Sequence, residues 1–440
     1  MPKALTLPAP SYDLISHRLA NGLRVLLVPD QSVPAVAVAV YYDVGFRSEP
    51  EGRTGFAHLF EHLMFQGSTH LAKLDHFRYV QGAGGTFNGS THPDYTNYFE
   101  LLPANALERA LYLEAYRMLG LALTEDNVSN QVSVVKEEIR VNVLNQPYGG
   151  FPWLTLPPVM FDTFPNAHDG YGSFADLEAA TVGDAAAFFT AYYAPANAVL
   201  VVAGDLDGDR TLAWIEKYFG AIAGGNAAQH GDFGEPDLAA ERRDAQADQH
   251  APLPAVAAAW RVPDPVHSYD DYLAHVVLGE VLTDGDASRL QRRLVQRDRT
   301  VTQIAAYAGF LGEPFAVRDP TALVLQATHL PTAAADGVLD AIGEEADRVA
   351  TDGLEAGELD RVAARIAAQL LRGADSVLGR ACSVAAFALL HGRPERYAET
   401  AGCLAAITED AVRAAAAAMR PERRAVLELV PDGDKGGRAR

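Results

Sequence analysis

At 440 residues the chain is too long for one ordinary domain, and 49% hydrophobic against 21% charged residues fits a globular protein with sizeable cores. A formal net charge of -21 argues against nucleic acid, whose binding needs clustered cations, and against an anionic membrane surface. Only two cysteines occur, Cys382 and Cys403, both in Ala-rich stretches, so no disulfide framework is implied and a cytoplasmic setting fits. Residues 1–11 carry no apolar signal segment, and no apolar run approaches the length of a membrane span.

Residues 15–45 read as strands. His17–Val28 carries an Asn21-Gly22 turn between two apolar arms, a hairpin signature. Val33–Tyr42 is nearly continuous in apolar residues, as a buried strand would be. A loop holding Gly45 and Gly52 leads into Thr54–Gln66. Thr54 as N-cap and Gly67 as C′ residue predict one short helix there. At its centre stands His58-Leu-Phe-Glu-His62. Histidines four apart share one helix face, and Glu61, three after His58, shares it too. Phe56, Leu59, Phe60, Leu63 and Phe65 surround that polar stripe. Two imidazoles and a carboxylate are costly to bury without a reason, and a metal supplies one. Neutral His nitrogens suit zinc, and the carboxylate between them can act on a water. A His pair at this spacing reads equally well as two hydrogen-bonded helix residues. The intervening Glu, in the order H-x-x-E-H of one class of zinc peptidases, tips the balance.

Residues 70–81 are expected to be helical, with Leu71, Leu74, Phe77 and Val80 on one side. The Gly-rich run 82–102 reads as two strands, roughly 84–91 and 95–102. Its glycines and Pro93 suit a sheet edge, which can accept an extended peptide, though an ordinary Gly-rich hairpin has the same spacing. Helices follow over 104–122 and about 127–145. On the latter, Gln131, Val135, Glu138 and Asn142 recur at helical spacing, with Glu137 about a quarter-turn aside. Thr181 with Asp184 marks a capped helix start, and Ala198–Ala203 a buried strand. Residues 226–252 are polar and Gly-containing and are assigned as a linker between a domain at 1–225 and another at 253–440. Ala255–Trp260 and the helix Tyr269–Leu282 echo the first half without its histidines. Further helices (335–352, 356–373, 376–390, 408–418) and a last strand, Ala425–Val430, complete the second half. The expected class is α+β, with two homologous domains of mixed or antiparallel sheet flanked by helices.

An ordered set of segments resembles the pitrilysin, insulinase and mitochondrial processing peptidase family of zinc peptidases. It comprises Asn21-Gly-Leu23, Gly55–Gly67, Gly84–Thr91 with Thr96-Asn-Tyr98, Asn130–Glu138, Tyr192–Asn197, Gly204-Asp205 and Ser288-Arg-Leu290. The resemblance implies one zinc per chain bound by His58, His62 and a Glu some 75 residues on. The family's E-x-x-x-V-x-x-E pattern, aligned on Val135, places that Glu at Glu138 rather than Glu137, and the helix-face argument agrees. Glu61 is then the general base, taking a proton from the attacking water and passing one to the leaving amine. A peptide substrate is expected to add as a strand near Gly85, Phe87, Asn88 and Gly89. The resemblance also implies that each chain forms half of a clam-shaped chamber.

The chain departs from the family in places. Gln131 stands where many members carry Glu, which leaves it a hydrogen-bonding role behind the metal ligands. Gly89 replaces a usual Ala. His168–Ser173 matches only loosely and is assigned nothing. Members that complete their own site carry in the second half an Arg and, seven residues later, a Tyr that stabilise the oxyanion. Here those positions are Val295 and Thr302; Arg297, Arg299 and Tyr307 are out of register. The expectation is therefore a heterodimer, in which a homologous subunit lacking the zinc motif supplies Arg and Tyr. The family also contains non-catalytic structural subunits. That alternative predicts lost ligands, and a metal-binding protein without peptidase activity predicts loss of Glu61; all four residues are present.

Overall fold

Ala35–Tyr42 is apolar along its whole length because both of its faces are covered. In the computed structural model, which describes residues 6–227 and 233–432, it is strand β3 of a six-stranded sheet. The others are β1 (Ile15–Arg18), β2 (Arg24–Pro29), β4 (Thr86–Thr91), β5 (Thr96–Pro103) and β6 (Ala198–Gly204). Their order is β1-β2-β6-β3-β5-β4, with β2 and β6 parallel and the other pairs antiparallel. Val36, Val38 and Val40 face a core built with helices α1 (Phe56–Leu63), α2 (Asp75–Gly82), α3 (Leu107–Leu119) and α4 (Glu125–Ile139). Ala37, Ala39 and Tyr41, on the other face, meet Ala381, Val384, Ala385 and Leu389 of the helix Val377–Leu390, which comes from the second half.

The second sheet repeats this plan. Strands β7 (Arg242–Asp248), β8 (Ala255–Arg261), β9 (Val301–Ala308), β10 (Ala322–His329) and β11 (Arg424–Pro431) lie in the order β7-β11-β8-β10-β9. The pair β7 and β11 is parallel, as β2 and β6 are. The cover is again exchanged, since Ala255, Ala257 and Ala259 pack against Phe151, Leu156, Val159, Met160 and Phe161 of the first half. Each half thus buries an apolar sheet face of the other, a contribution of roughly 25 cal/mol per Å² removed from water. Among the described residues no single helix is long and apolar enough to cross a membrane.

The assignment of 226–252 as linker is corrected here. Residues 242–248 form β7, the counterpart of β2 in the second sheet. As an edge strand most of its side chains are exposed, so Arg242-Arg-Asp-Ala-Gln-Ala-Asp248 gives no apolar signal. Residues 228–232 of that segment lie outside the described residues. The two strands expected in the Gly-rich run are β4 and β5, and β4 is one edge of the first sheet, opposite β1.

Candidate metal centre

Helix α1 starts one residue later than its sequence suggests, and for a long-range reason. Gly55, at φ +83°, precedes it, and no side chain at Gly55 or Thr54 caps it. The buried carboxylate of Glu49 accepts the Gly55 and Ala57 amides at 2.9 and 2.7 Å. Thr54, expected as the cap, instead donates its hydroxyl to Asp176 at 2.6 Å. Burial pushes the Glu49 carboxyl up, and His168 Nε2 at 3.2 Å partly offsets this. Burial opposes charge on His168 as well, yet Glu49 and backbone carbonyls raise its pKa.

The apolar residues of α1 are buried, and its His58 and His62 turn toward α4. Glu138 Oε1 lies 3.5 Å from His58 Nε2, and Oε2 lies 3.2 Å from His62 Nε2. Hydrogen bonds from the two imidazoles hold the Glu138 carboxyl well below the usual range. Three donors on a tetrahedral zinc, with bonds of about 2.0–2.1 Å, stand about 3.3–3.4 Å apart. The two separations bracket that spacing, so the donor set fits zinc. Glu137 is exposed and paired with Arg140, so the structure distinguishes the two glutamates as helical phase does. Gln131 is buried two turns before Glu138 and makes no side-chain hydrogen bond among the described residues.

Glu61 accepts the Thr91 hydroxyl at 2.7 Å, which ties α1 to β4. Gly89 permits this approach, because a Cβ there would meet Glu61 Cγ at 3.0 Å. A cavity of about 300 Å³ opens on His58, Glu61 and Glu138, bounded by Gly89–Thr91, Trp153, Tyr171, Phe310 and Leu311. The last two reach it from the second half, on a turn where Gly309, Leu311 and Gly312 all have positive φ. Arg47 fastens the two halves nearby, donating to Asp94 at 3.2 Å and to the Pro320 carbonyl at 2.5 Å.

Of the four residues expected to meet a peptide, Gly89 lines the cavity. Asn88 is exposed, its side chain accepting the Gly89 amide at 3.0 Å. Gly85 precedes β4 and donates to the Val80 carbonyl. The Phe87 side chain is a correction. Strand alternation turns its ring inward against Phe65, Phe77 and His76, at 4.7–5.3 Å. In the second half, Val295 packs against the core and Thr302 donates to the Thr328 carbonyl. Arg297 pairs with Asp298, and Tyr307 stacks edge-on against Trp153 at 5.4 Å. None of the cavity-lining residues is Arg or Lys. Sequence reasoning missed Glu49, Trp153, Phe310 and Leu311, none of which sits in a local motif, and Tyr171, whose loosely matching segment His168–Ser173 is assigned nothing.

A second His/Glu cluster, His76, Glu100 and Glu114, lies behind β4 and is buried. His76 Nε2 is 2.8 Å from Glu100 Oε1, and Glu114 pairs with the buried Arg117. That guanidinium already supplies the cluster with a cation and stacks on Phe65 and Tyr98. Burial pushes Glu100 up to about 7 and His76 down to about 3. A carboxyl raised on folding stabilises the fold below its unfolded pKa and loses that contribution as pH rises through the folded value. The depressed His76 has the opposite sign, adding stability as pH rises toward its unfolded value, so the two contributions oppose each other between about pH 4.3 and 6.5. Glu100→Gln, fixed in the neutral shape, should remove the fall and leave the rise from His76, so its stability should gain on wild type from about pH 4.3 to 6.5 in urea titrations.

Residues 24–148 match the family model described as Insulinase (Peptidase family M16), and residues 179–366 match that described as Peptidase M16 inactive domain. The chain is 30% identical to the zinc protease PqqE of Helicobacter pylori over 291 residues, 66% of this chain and 65% of that protein. The match thus spans just under two thirds of that relative's own length. The crystal structure of a protease from Helicobacter pylori superposes with a TM-score of 0.88 at 25% identity, covering 96% of this chain and all of that one. The periplasmic protease PqqL from Escherichia coli shares the fold, at a TM-score of 0.76 and 18% identity, with 97% of this chain matched to 48% of that one.

Proposed function

We propose, from the premise that this chain belongs to the insulinase family of peptidases (M16), that it is a zinc-dependent peptidase and the catalytic subunit of a heterodimer. One observation carries the reading: His58, His62 and Glu138 converge at zinc spacing, and His58 and Glu138 line the same cavity as Glu61, beside a free sheet edge. His58, His62 and Glu138 would hold the ion, which when bound acts as a Lewis acid on the peptide carbonyl and on water. Glu61 takes the proton of the attacking water and delivers it to the departing amine. Thr91 occupies one Glu61 oxygen and so aims the other. An extended peptide pairs with the free edge of β4 through Gly85, Asn88 and Gly89, and Phe87 contributes its backbone alone. Trp153, Phe310 and Leu311 receive an apolar side chain beside the reacting bond.

Two findings support a homologous partner subunit lacking the zinc motif. The cavity lacks a lysine or arginine, and the fold matches about half of a longer protease chain. That partner supplies the Arg and Tyr and closes the chamber, which confines the enzyme to small or extended peptides. The test is hydrolysis of a quenched fluorescent peptide library by this chain alone and mixed with such a homologue. Full activity is expected only in the mixture. Equal activity from the chain alone would overturn the division of labour.

A further inference from the structure

Tyr171 stands over the metal centre on a turn that is bolted to the start of α1. The Asp169 carboxylate accepts the Tyr171 and Gly172 amides at 2.8 and 3.0 Å. The Ser173 amide donates to Thr54 Oγ1 at 2.9 Å. Two glycines let the backbones touch. A Cβ on Gly55 would lie 2.5 Å from the Tyr171 carbonyl oxygen, and one on Gly172 would lie 2.3 Å from the Gly55 nitrogen. Both glycines have positive φ, +83° and +72°, so neither position tolerates a side chain cheaply. The Tyr171 ring meets His58 edge-on, with centroids 5.2 Å apart and planes at 87°.

This fastening presents a phenol to the cavity that holds His58, Glu61 and Glu138. Its hydroxyl makes no hydrogen bond among the described residues. The neighbouring polar side chains are already engaged. Thr91 donates to Glu61, and Ser90 donates to Asn97. His168 is taken up by Glu49 and by the Phe46 and Phe164 carbonyls. A phenol, with an ordinary pKa of about 10, is a donor at neutral pH.

Resting on the peptidase reading above, we propose that Tyr171 is a catalytic residue of this chain, donating its hydroxyl to the oxygen of the peptide carbonyl under attack. As water adds, the C=O π bond opens and its electrons move onto that oxygen. Tyr171 hydrogen-bonds the oxygen without giving up its proton, while Glu61 carries the water's proton to the amine as the C–N bond breaks. The cavity then has an oxyanion donor of its own, where the second half brings only Phe310 and Leu311 to the lining.

The test compares wild type with Tyr171→Phe, which keeps the ring against His58. Two readouts are taken on zinc-loaded full chain, with and without the homologous partner. The first is kcat and KM on a cleaved peptide, and the second is the Kd of a phosphinic peptide, which places a tetrahedral anion where the oxyanion forms. Tyr171→Phe is expected to lower kcat on the order of 100-fold and to weaken the phosphinic peptide similarly. KM and zinc content should change less than about twofold, whereas a purely packing role would leave all four unchanged. Wild-type values for both readouts in Tyr171→Phe overturn the proposal. If the phosphinic peptide fails to bind wild type, the peptidase reading fails and takes this proposal with it.

Discussion

Glu61→Gln is expected to leave about one zinc per chain and to lower kcat on the order of 1,000-fold. Gln keeps the size of the side chain and can still accept the Thr91 hydroxyl, 2.7 Å away in wild type. It cannot take a proton from water. The proposed ligands lie elsewhere, at His58, His62 and Glu138, so metal content measured by plasma mass spectrometry should not change. Glu138→Gln should behave differently and lose metal and activity together, because an amide is a poor ligand for zinc. The pair of variants separates base from ligand. Retained hydrolysis in Glu61→Gln would move the base to another residue.

Arg117→Ala should destabilise the fold by about 3–5 kcal/mol, read as a shift in urea midpoint at constant slope. Arg117 is 2% exposed, and its neighbours Glu114 and Glu100 are 1% and 0% exposed. Without the guanidinium, Glu114 is left with no positive partner in a site walled by Phe65 and Tyr98. The arithmetic favours a large loss, since a carboxylate stranded in an apolar interior costs several kcal/mol. The double variant Arg117→Leu with Glu114→Leu should recover much of it, because paired removal strands no charge. A single-variant cost under about 1 kcal/mol would mean that water reaches the cluster.

The cluster also links stability to function through packing. Phe65 follows α1, and Phe87 belongs to β4; both rings meet His76 edge-on. Loosening Arg117 should therefore soften β4, and KM should rise more than zinc content falls.

Much of the site was legible as local periodicity. H-x-x-E-H puts two imidazoles and a carboxylate on one face of any helix, whatever surrounds it. The same periodicity separated Glu138 from Glu137, and the structure places only Glu138 between the histidines. The capping box at Thr181 and Asp184 is local too, and the helix Val182–Tyr192 begins there. The continuous apolar run of β3 announced a strand buried on both faces, though not what would bury it.

Tertiary structure decided what depends on residues far apart in the chain. Glu49 caps α1, a helix from the second half covers β3, and the polar segment 242–248 becomes a strand because β11 is there to pair with it. Tyr171 reaches His58 only because two glycines let its turn lie against the helix start. Spacing encodes which side chains share a face, because helix and strand repeats are fixed by backbone sterics. It does not encode which distant group satisfies an orphan amide or fills a cavity, since those partners are chosen by packing after the chain folds.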